Sequence, residues 1–418
     1  MNDRAPTPPT WFSSRPRWWA VGLALVVAAS AVSGWSVVGE GDLEEAPSAA
    51  DSAAPGAPGA PSMPVSGAPN MPVAGASNMP VGGAGAKAPG DAKAARAGGD
   101  SRSLAPENNV PRFAESLDVT AFLRGNLHTH SSRSDGDSPP EDVYAYYRDH
   151  GYAFLAMTDH NGRTDPAKYA AVARPGFVMI PGEEVTLLAA GKPVHVNALC
   201  TTSDIGGGAF DTGAEALRWA VAQVKAQGAV ALINHPNFDW ALGAEDLRAG
   251  HGAALLEIWS GHPHVRTEGD ADHPSHEGLW SKMLDAGETF AAVAVDDMHN
   301  LSEDAPEPAA RPMRGWVQVF GAEPTEAAIC DALRAGKLYA SSGPELTRIR
   351  VGGTTFGVTA TESVQVVFLG AEGAALSTVY APANHEARYE LKGGERHVRA
   401  RIETSDGRRA WTQAYSLE

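Results

Sequence analysis

Cysteine is almost missing: Cys200 and Cys330 are the only two in 418 residues. That excludes a disulfide framework and any zinc site built on paired cysteines. Each of the two is expected to pack in the core, Cys330 inside a helix and Cys200 at the end of a strand-like run. Basic charge is also scarce, with 33 Lys and Arg against 50 Asp and Glu and a net charge of −17. No Lys/Arg-rich run offsets it, so a nucleic acid is not an expected partner. Long apolar runs are absent after residue 39, and residues 40–110 lack the bulky apolar side chains that a core requires.

Residues 18–39 are the exception. Their apolar stretch follows Arg4, Arg15 and Arg17 and precedes Glu40, Asp42, Glu44 and Glu45. A positive flank before and an acidic flank after read as an export segment with residues 1–17 in the cytoplasm. It is long enough to stay as a membrane anchor, the favoured reading, although Ala29-Ser30-Ala31 and Ala31-Val32-Ser33 resemble cleavage sites. Residues 40–110, rich in Ala, Gly, Pro and Ser, repeat Met-Pro-Val at 63–65, 71–73 and 79–81 and read as a flexible, disordered linker. The remainder is expected outside the cytoplasm, membrane-anchored or secreted.

Chemistry gathers from Arg124 to Gly162. His128 and His130 stand two apart at the end of a short strand, so both imidazoles face one side. Asp135 follows in a Ser-Asp-Gly turn. Residues 139–151 read as a helix with prolines at its start, Glu141 and Asp142 in its first turn and Gly151 as its stop. A buried strand, 152–158, then ends in Asp159-His160-Asn161. Two strands that bracket a helix and both end in ligand-type residues match an α/β barrel with its site at the C-terminal rim.

His128-Thr129-His130-Ser131, Ser134-Asp135-Gly136 and Thr158-Asp159-His160-Asn161 resemble the first motifs of the PHP (polymerase and histidinol phosphatase) metallohydrolases. The resemblance covers about residues 111–418 and implies a distorted, TIM-like (β/α)7 barrel holding two or three divalent metal ions. Residue by residue it adds Glu184 of Gly182-x-Glu184, His195, His235 after the strand 229–234, and the closing pair Asp297 and His299. It implies one metal on His128, His130, Glu184 and Asp297, a second on Glu184, His195 and His235, and a third on Asp135, His160 and His299. Mixed nitrogen and oxygen donors suit Zn, Mn or Fe without choosing among them. Asp296, beside Asp297, leaves the two aspartates unranked.

The implied activity is metal-assisted hydrolysis, in which clustered ions supply a nucleophile from water at neutral pH. A phosphoesterase acting on a small-molecule ester is the first expectation. A carboxyl-ester, carbamate or amide hydrolase is the alternative, and a silent binding module a third. Glu184, Asp297 and His235 are the expected catalytic residues, with Asn161 and Arg266 as substrate contacts. Glu257 reads equally as a carboxylate behind the ligands or as a rim residue. The histidine-rich stretch 261–277 reads as a lid. The barrel is placed at 111–343. Residues 344–418, with short alternating strands at 348–351, 364–368, 388–391 and 398–404, read as a small antiparallel β domain resembling the end of the CehA/McbA-type branch. Oligomeric state is not legible.

Overall fold

The computed structural model describes residues 111–418. The expected anchor at 18–39 and linker at 40–110 lie outside the described residues. Among the described residues no helix is long and apolar enough to cross a membrane.

The first half of the described chain alternates strands and helices: β1 (Leu117–Val119), β2 (Leu123–Asn126), α1 (Pro140–Asp149), β3 (Phe154–Met157), β4 (Val178–Ala189), β5 (Lys192–Leu199), β6 (Gly208–Phe210), α2 (Gly213–Ala226), β7 (Val230–Ile233), α3 (Ala244–Ala249), β8 (Leu255–Ser260), α4 (His276–Asp285) and β9 (Ala291–Val295). Local chemistry accounts for the helices. Pro140 opens α1, with Glu141 and Asp142 in its first turn and Arg148 in its last, each sign opposing the helix dipole there. In α2 the Thr212 hydroxyl caps the Glu215 N–H, and Ala216, Leu217, Ala220, Val221 and Val224 form one buried stripe. Four-residue β3 and β7 are buried throughout, as strands covered on both faces must be.

Strands β2, β3 and β4 run parallel, β5 runs against β4 and β7, and β7, β8 and β9 are parallel again. No ladder joins β9 to β2, so the hydrogen-bonded path is open. Its two ends nevertheless meet just past the strands. Thr129 and Met298 form a parallel bridge, with His130 N–H donating to Met298 O at 2.9 Å and Asp297 N–H to His128 O at 3.0 Å. The seven strands β2, β3, β4, β5, β7, β8 and β9, or the residues next to them, contribute to one apolar cluster that includes Leu127, Phe154, Ile180, Leu199, Leu232, Leu255 and Val293.

The rest of the chain is β10 (Trp316–Val319), α5 (Glu326–Arg334), β11 (Leu338–Ser341), β12 (Leu346–Gly352), β13 (Thr355–Ala360), β14 (Val364–Leu369), β15 (Ala375–Ala381), β16 (Glu386–Glu390), β17 (His397–Glu403), β18 (Arg409–Trp411) and β19 (Tyr415–Ser416). Strands occur where alternation predicts them, but position 343/344 is not a break. One antiparallel path runs β15-β14-β17-β18-β11-β10 and joins β2. The Gln413 side chain stitches this extension to β9: its amide donates to Ala292 O at 3.0 Å and Leu338 O at 3.2 Å and its oxygen accepts from Ala292 N–H at 2.7 Å. A carboxamide thus satisfies edge groups that a neighbouring strand would otherwise pair.

A second sheet, β1-β12-β13-β16, packs on this extension through Phe356, Phe368 and Tyr415. Phe113 is buried there, edge-on to Phe356 at 6.1 Å. Residues 113–119 therefore pack with the C-terminal strands and not with the barrel side to which the sequence assigned them.

Cys330 packs in the core and Cys200 against it, as expected, but their pairing was not foreseen. Cys200, just after β5, and Cys330, in α5, form a disulfide with Cα atoms 6.2 Å apart, within the range that a bridge spans.

Candidate metal centre

His128 and His130 lie one and three residues past Leu127, which follows β2, and both are buried. The Asn126 side-chain oxygen accepts the Leu127 N–H at 2.9 Å and holds the chain as it leaves the strand. The next turn brings Asp135 back over His130. Gly136 is required in that turn because of close approach: a Cβ there would sit 2.8 Å from backbone atoms of His130 and Ser131. Asp159 fastens the turn, accepting from Ser131 N–H at 2.9 Å, Ser134 Oγ at 3.0 Å and Thr164 Oγ1 at 2.8 Å. It is engaged there, and His160 beside it takes the place near the ligands.

Glu184 on β4 and His195 on β5 share one face of a hairpin, in which Thr186 is opposite His195 and Glu184 opposite Asn197. The Glu184 carboxylate is the hub. It lies 3.2 Å from His128 Nε2, 3.1 Å from His130 Nε2, 3.2 Å from His160 Nδ1, 2.9 Å from His195 Nδ1 and 3.5 Å from His235 Nε2. Asp297, which has a positive φ of 50°, adds contacts of 3.3 Å to His128 Nε2 and 3.7 Å to His299 Nδ1. Asp135 meets His130 at 3.3 Å and His160 and His299 at 3.4 Å.

Two atoms that each sit about 2.0–2.2 Å from one ion are roughly 3.0–3.5 Å apart, and most of these separations fall in that range, with His195–Glu184 at 2.9 Å and His299–Asp297 at 3.7 Å just outside it. The donors form four overlapping groups whose ligand atoms lie within 4.8 Å of one another: His130, Asp135, His160 and His299; His128, His130 and Asp297; His128, Glu184 and His235; His160, Glu184 and His195. Six imidazoles and three carboxylates are therefore fit to hold divalent ions. His195 Nδ1 and His235 Nε2 both meet Glu184 Oε1, at 2.9 and 3.5 Å, and His160 meets Oε2 at 3.2 Å.

Electrostatics point the same way. Burial by itself would raise the Glu184 and Asp297 carboxyls, yet the surrounding imidazoles, His128 foremost, hold both well below the carboxylate range. Burial would lower His128 and His130, but the carboxylates push both well above the usual imidazole value. Asp135 is lowered by the three imidazoles it meets, against its own burial.

Around the ligands the sequence left roles open that the structure assigns. The fully buried Glu257 puts Oε1 2.7 Å from His128 Nδ1 and accepts the His235 N–H on Oε2 at 2.8 Å, so it stands behind two ligands and not at the rim. Asp296 points away, accepting from Tyr147 OH at 2.7 Å and from the Met313, Arg314 and Gly315 N–H groups. Its burial, against those donors, pushes its carboxyl up to about 6. Glu183 accepts the Ile205 and Gly206 N–H groups at 2.8 and 2.7 Å. Asn234 and Asn197 went unread in the sequence: Asn234 Nδ2 donates to Glu184 at 2.8 Å and to Asn197 Oδ1 at 2.9 Å. Their only signal was position, one beside His235 and one two residues past His195.

A pocket of about 390 Å³ opens over the cluster, and Thr186, Phe238, His262 and Val265 line it beside the ligands. Asn161 and Arg266 do not. The exposed Asn161 uses its side-chain oxygen to accept the Thr186 N–H at 2.9 Å. Arg266 lies over the Trp240 ring at 5.0 Å and pairs with Asp239 at 3.8 Å. Both side chains are engaged with partners in the protein, Asn161 with the pocket-lining Thr186 and Arg266 with Trp240 and Asp239.

The four histidines of 261–277 do not converge. His262 faces the pocket, His264 is exposed, His273 stacks on Trp240 at 4.0 Å, and the buried His276 accepts the Asn237 N–H. The stretch does lie over the pocket through His262 and Val265.

No protein-family profile matches the chain, and no curated protein matches it. Among solved structures it is similar to a two-domain protein from Bacteroides vulgatus described as containing a predicted PHP-like metal-dependent phosphoesterase. That likeness has 16% identity, 73% coverage of this chain and 96% of the other, and a TM-score of 0.38. A protein from Bifidobacterium adolescentis, proposed to be a metal-dependent phosphoesterase, matches at 15% identity over 44% of this chain and 89% of its own, with a TM-score of 0.33. An amidohydrolase from Chromobacterium violaceum, with bound sulfate and no metal, matches at 19% identity over 45% and 94%, with a TM-score of 0.31.

Proposed function

We propose that this chain is a metal-dependent hydrolase with a PHP-type (β/α)7 barrel, acting first of all on phosphoesters. The observation that carries the reading is the Glu184 hub, a buried carboxylate within 3.5 Å of five imidazole nitrogens at the rim of one strand ring. Bound divalent ions would lower the pKa of a water toward about 7 and polarise the oxygen of the electrophile.

The protein's own groups do the rest. Glu184 is shared between the His128/His235 and His160/His195 groups, so it would set the spacing of two ions. Glu257 accepts the His128 Nδ1–H and leaves Nε2 as the donor toward the centre. Asp135, the most exposed ligand, reaches in from a turn tied down by Asp159. Phe238 and Val265 cover one side of the pocket with apolar surface and exclude water there.

A second reading has its own support. Among the described residues no Lys or Arg side chain lines the pocket, and two apolar ones do. That lining suits an uncharged carboxyl ester, carbamate or amide at least as well as a phosphate dianion, whose recognition commonly employs Arg or Lys.

We also propose an extracytoplasmic location, supported by the Cys200–Cys330 disulfide, a bond that persists in oxidising compartments, and by the charge flanks of the apolar segment. The deciding experiment is metal analysis of the purified full chain with parallel screens of phosphate monoesters, diesters, carboxyl esters and carbamates. Metal uptake with no turnover of any of them would leave a binding module in place of an enzyme.

A further inference from the structure

We propose that His262 is a substrate-contacting residue that donates its Nε2–H to an oxygen of the molecule bound over the metal cluster. The inference rests on the reading of that cluster as a metal centre and deepens it by naming a contact that lies outside the ligand set.

His262 lines the pocket beside the ligands, yet it belongs to none of the four groups of converging donor atoms. Its ring lies 5.1 Å from that of His299, inclined at 66°, which brings it alongside the cluster. The backbone holds it there. Gly261 N–H donates to Val295 O at 2.9 Å, tying the chain to the end of β9, and the His262 N–H donates to Ser260 Oγ at 3.3 Å. His262 is thus fixed at the rim, ahead of the segment that crosses the pocket.

The tautomer follows from one neighbour. The His264 N–H donates to His262 Nδ1 at 3.3 Å, so Nδ1 is the acceptor of the neutral ring and Nε2 carries the hydrogen. Among the described residues Nε2–H has no partner, and it is not among the buried polar atoms left without one. An N–H that is unpartnered but open, on a ring facing a cavity, points to an acceptor supplied by the ligand. On a metal centre of this composition that acceptor is an ester, carbonyl or phosphoryl oxygen. Of the four lining residues outside the ligand set, Phe238 and Val265 are apolar and Thr186 is bonded to His160, so His262 is the one with a polar hydrogen left for a ligand, a contact that orients it.

The test uses the metal-loaded full chain and inorganic phosphate, whose oxygens stand in for those of a substrate. His262→Phe keeps a ring and removes the donor, whereas His262→Gln places an amide N–H near the position of Nε2. Calorimetry should show phosphate binding weakened about tenfold in His262→Phe and by less than about threefold in His262→Gln, with metal content unchanged in both. Equal weakening in the two variants, no weakening in His262→Phe, loss of metal in either, or no phosphate uptake by the wild-type protein would overturn the proposal. A donor-dependent phosphate effect in a protein that hydrolyses no ester would overturn the hydrolase reading and leave the His262 contact standing.

Discussion

Glu257 Oε1 and His128 Nδ1 are 2.7 Å apart, both side chains are fully buried, and the residues are 129 positions apart in sequence. Strand β8 supplies none of the nine ligands, yet through Glu257 it sets the direction in which His128 presents Nε2. The other Glu257 oxygen accepts the His235 N–H, so a single carboxylate aligns ligands carried on two separate strands.

Replacing Glu257 with Gln should therefore lower metal affinity by about 10–100-fold. The amide can still accept from one N–H but no longer opposes the charge on the imidazole. Chelator competition against the wild-type protein measures this, and circular dichroism checks that the fold persists. Unchanged affinity in a folded variant would make Glu257 a packing residue only.

Glu184→Gln should reduce kcat/KM at least about a hundredfold, and Glu183→Gln less than about tenfold, at about 1.4 kcal/mol per decade. The two carboxylates face opposite ways: Glu184 meets five imidazoles, whereas Glu183 is occupied by the Ile205 and Gly206 N–H groups. Glu183→Gln should show its effect as a lower Tm. Kinetics and metal content on the same samples decide the matter, and a larger kinetic loss at Glu183 would contradict the geometry.

Acid should destabilise the protein in part through two histidines outside the ligand set. Burial pushes His262 down to about 4 and His276 down to about 3 from an ordinary value of 6.5. The unfolded chain then binds protons below pH 6.5 that the folded chain does not take up until about pH 4 or 3. Stability contributed by keeping these rings neutral is full above pH 6.5 and is lost as pH falls from 6.5 toward 4. Urea midpoints of chelator-treated wild type and His276→Gln between pH 7 and 4.5 should converge as pH drops. Parallel curves would show that His276 does not titrate differently on folding.

Removing the disulfide should cost about 2–5 kcal/mol, since the bridge closes a loop across 130 positions. The Cys200→Ser, Cys330→Ser double variant should melt at lower temperature than the oxidised protein and match the reduced wild type. It should keep its metal, because neither cysteine lies in a ligand group. Equal Tm values for oxidised and reduced wild type would argue that the bond does not form in solution.

Local spacing determined the first ligand candidates, and the resemblance to the PHP motifs added Glu184, His195, His235, Asp297 and His299. His128 and His130 fall on one side because strand side chains alternate, and Asp135 and His160 follow short elements whose ends are marked by Pro, Gly and acidic first turns. The same periodicities placed α1, α2 and the C-terminal strands. Partner choice across the fold was left to the tertiary structure. It ranked Asp297 over Asp296, put Glu257 behind His128, joined Cys200 to Cys330, packed Phe113 among the C-terminal strands and engaged the Asn161 and Arg266 side chains with partners in the protein. Periodicity states which side of its own strand or helix a side chain faces. Which atoms from other strands stand within about 3 Å of it depends on register, strand order and the path of the loops, and these are settled only when the whole chain packs.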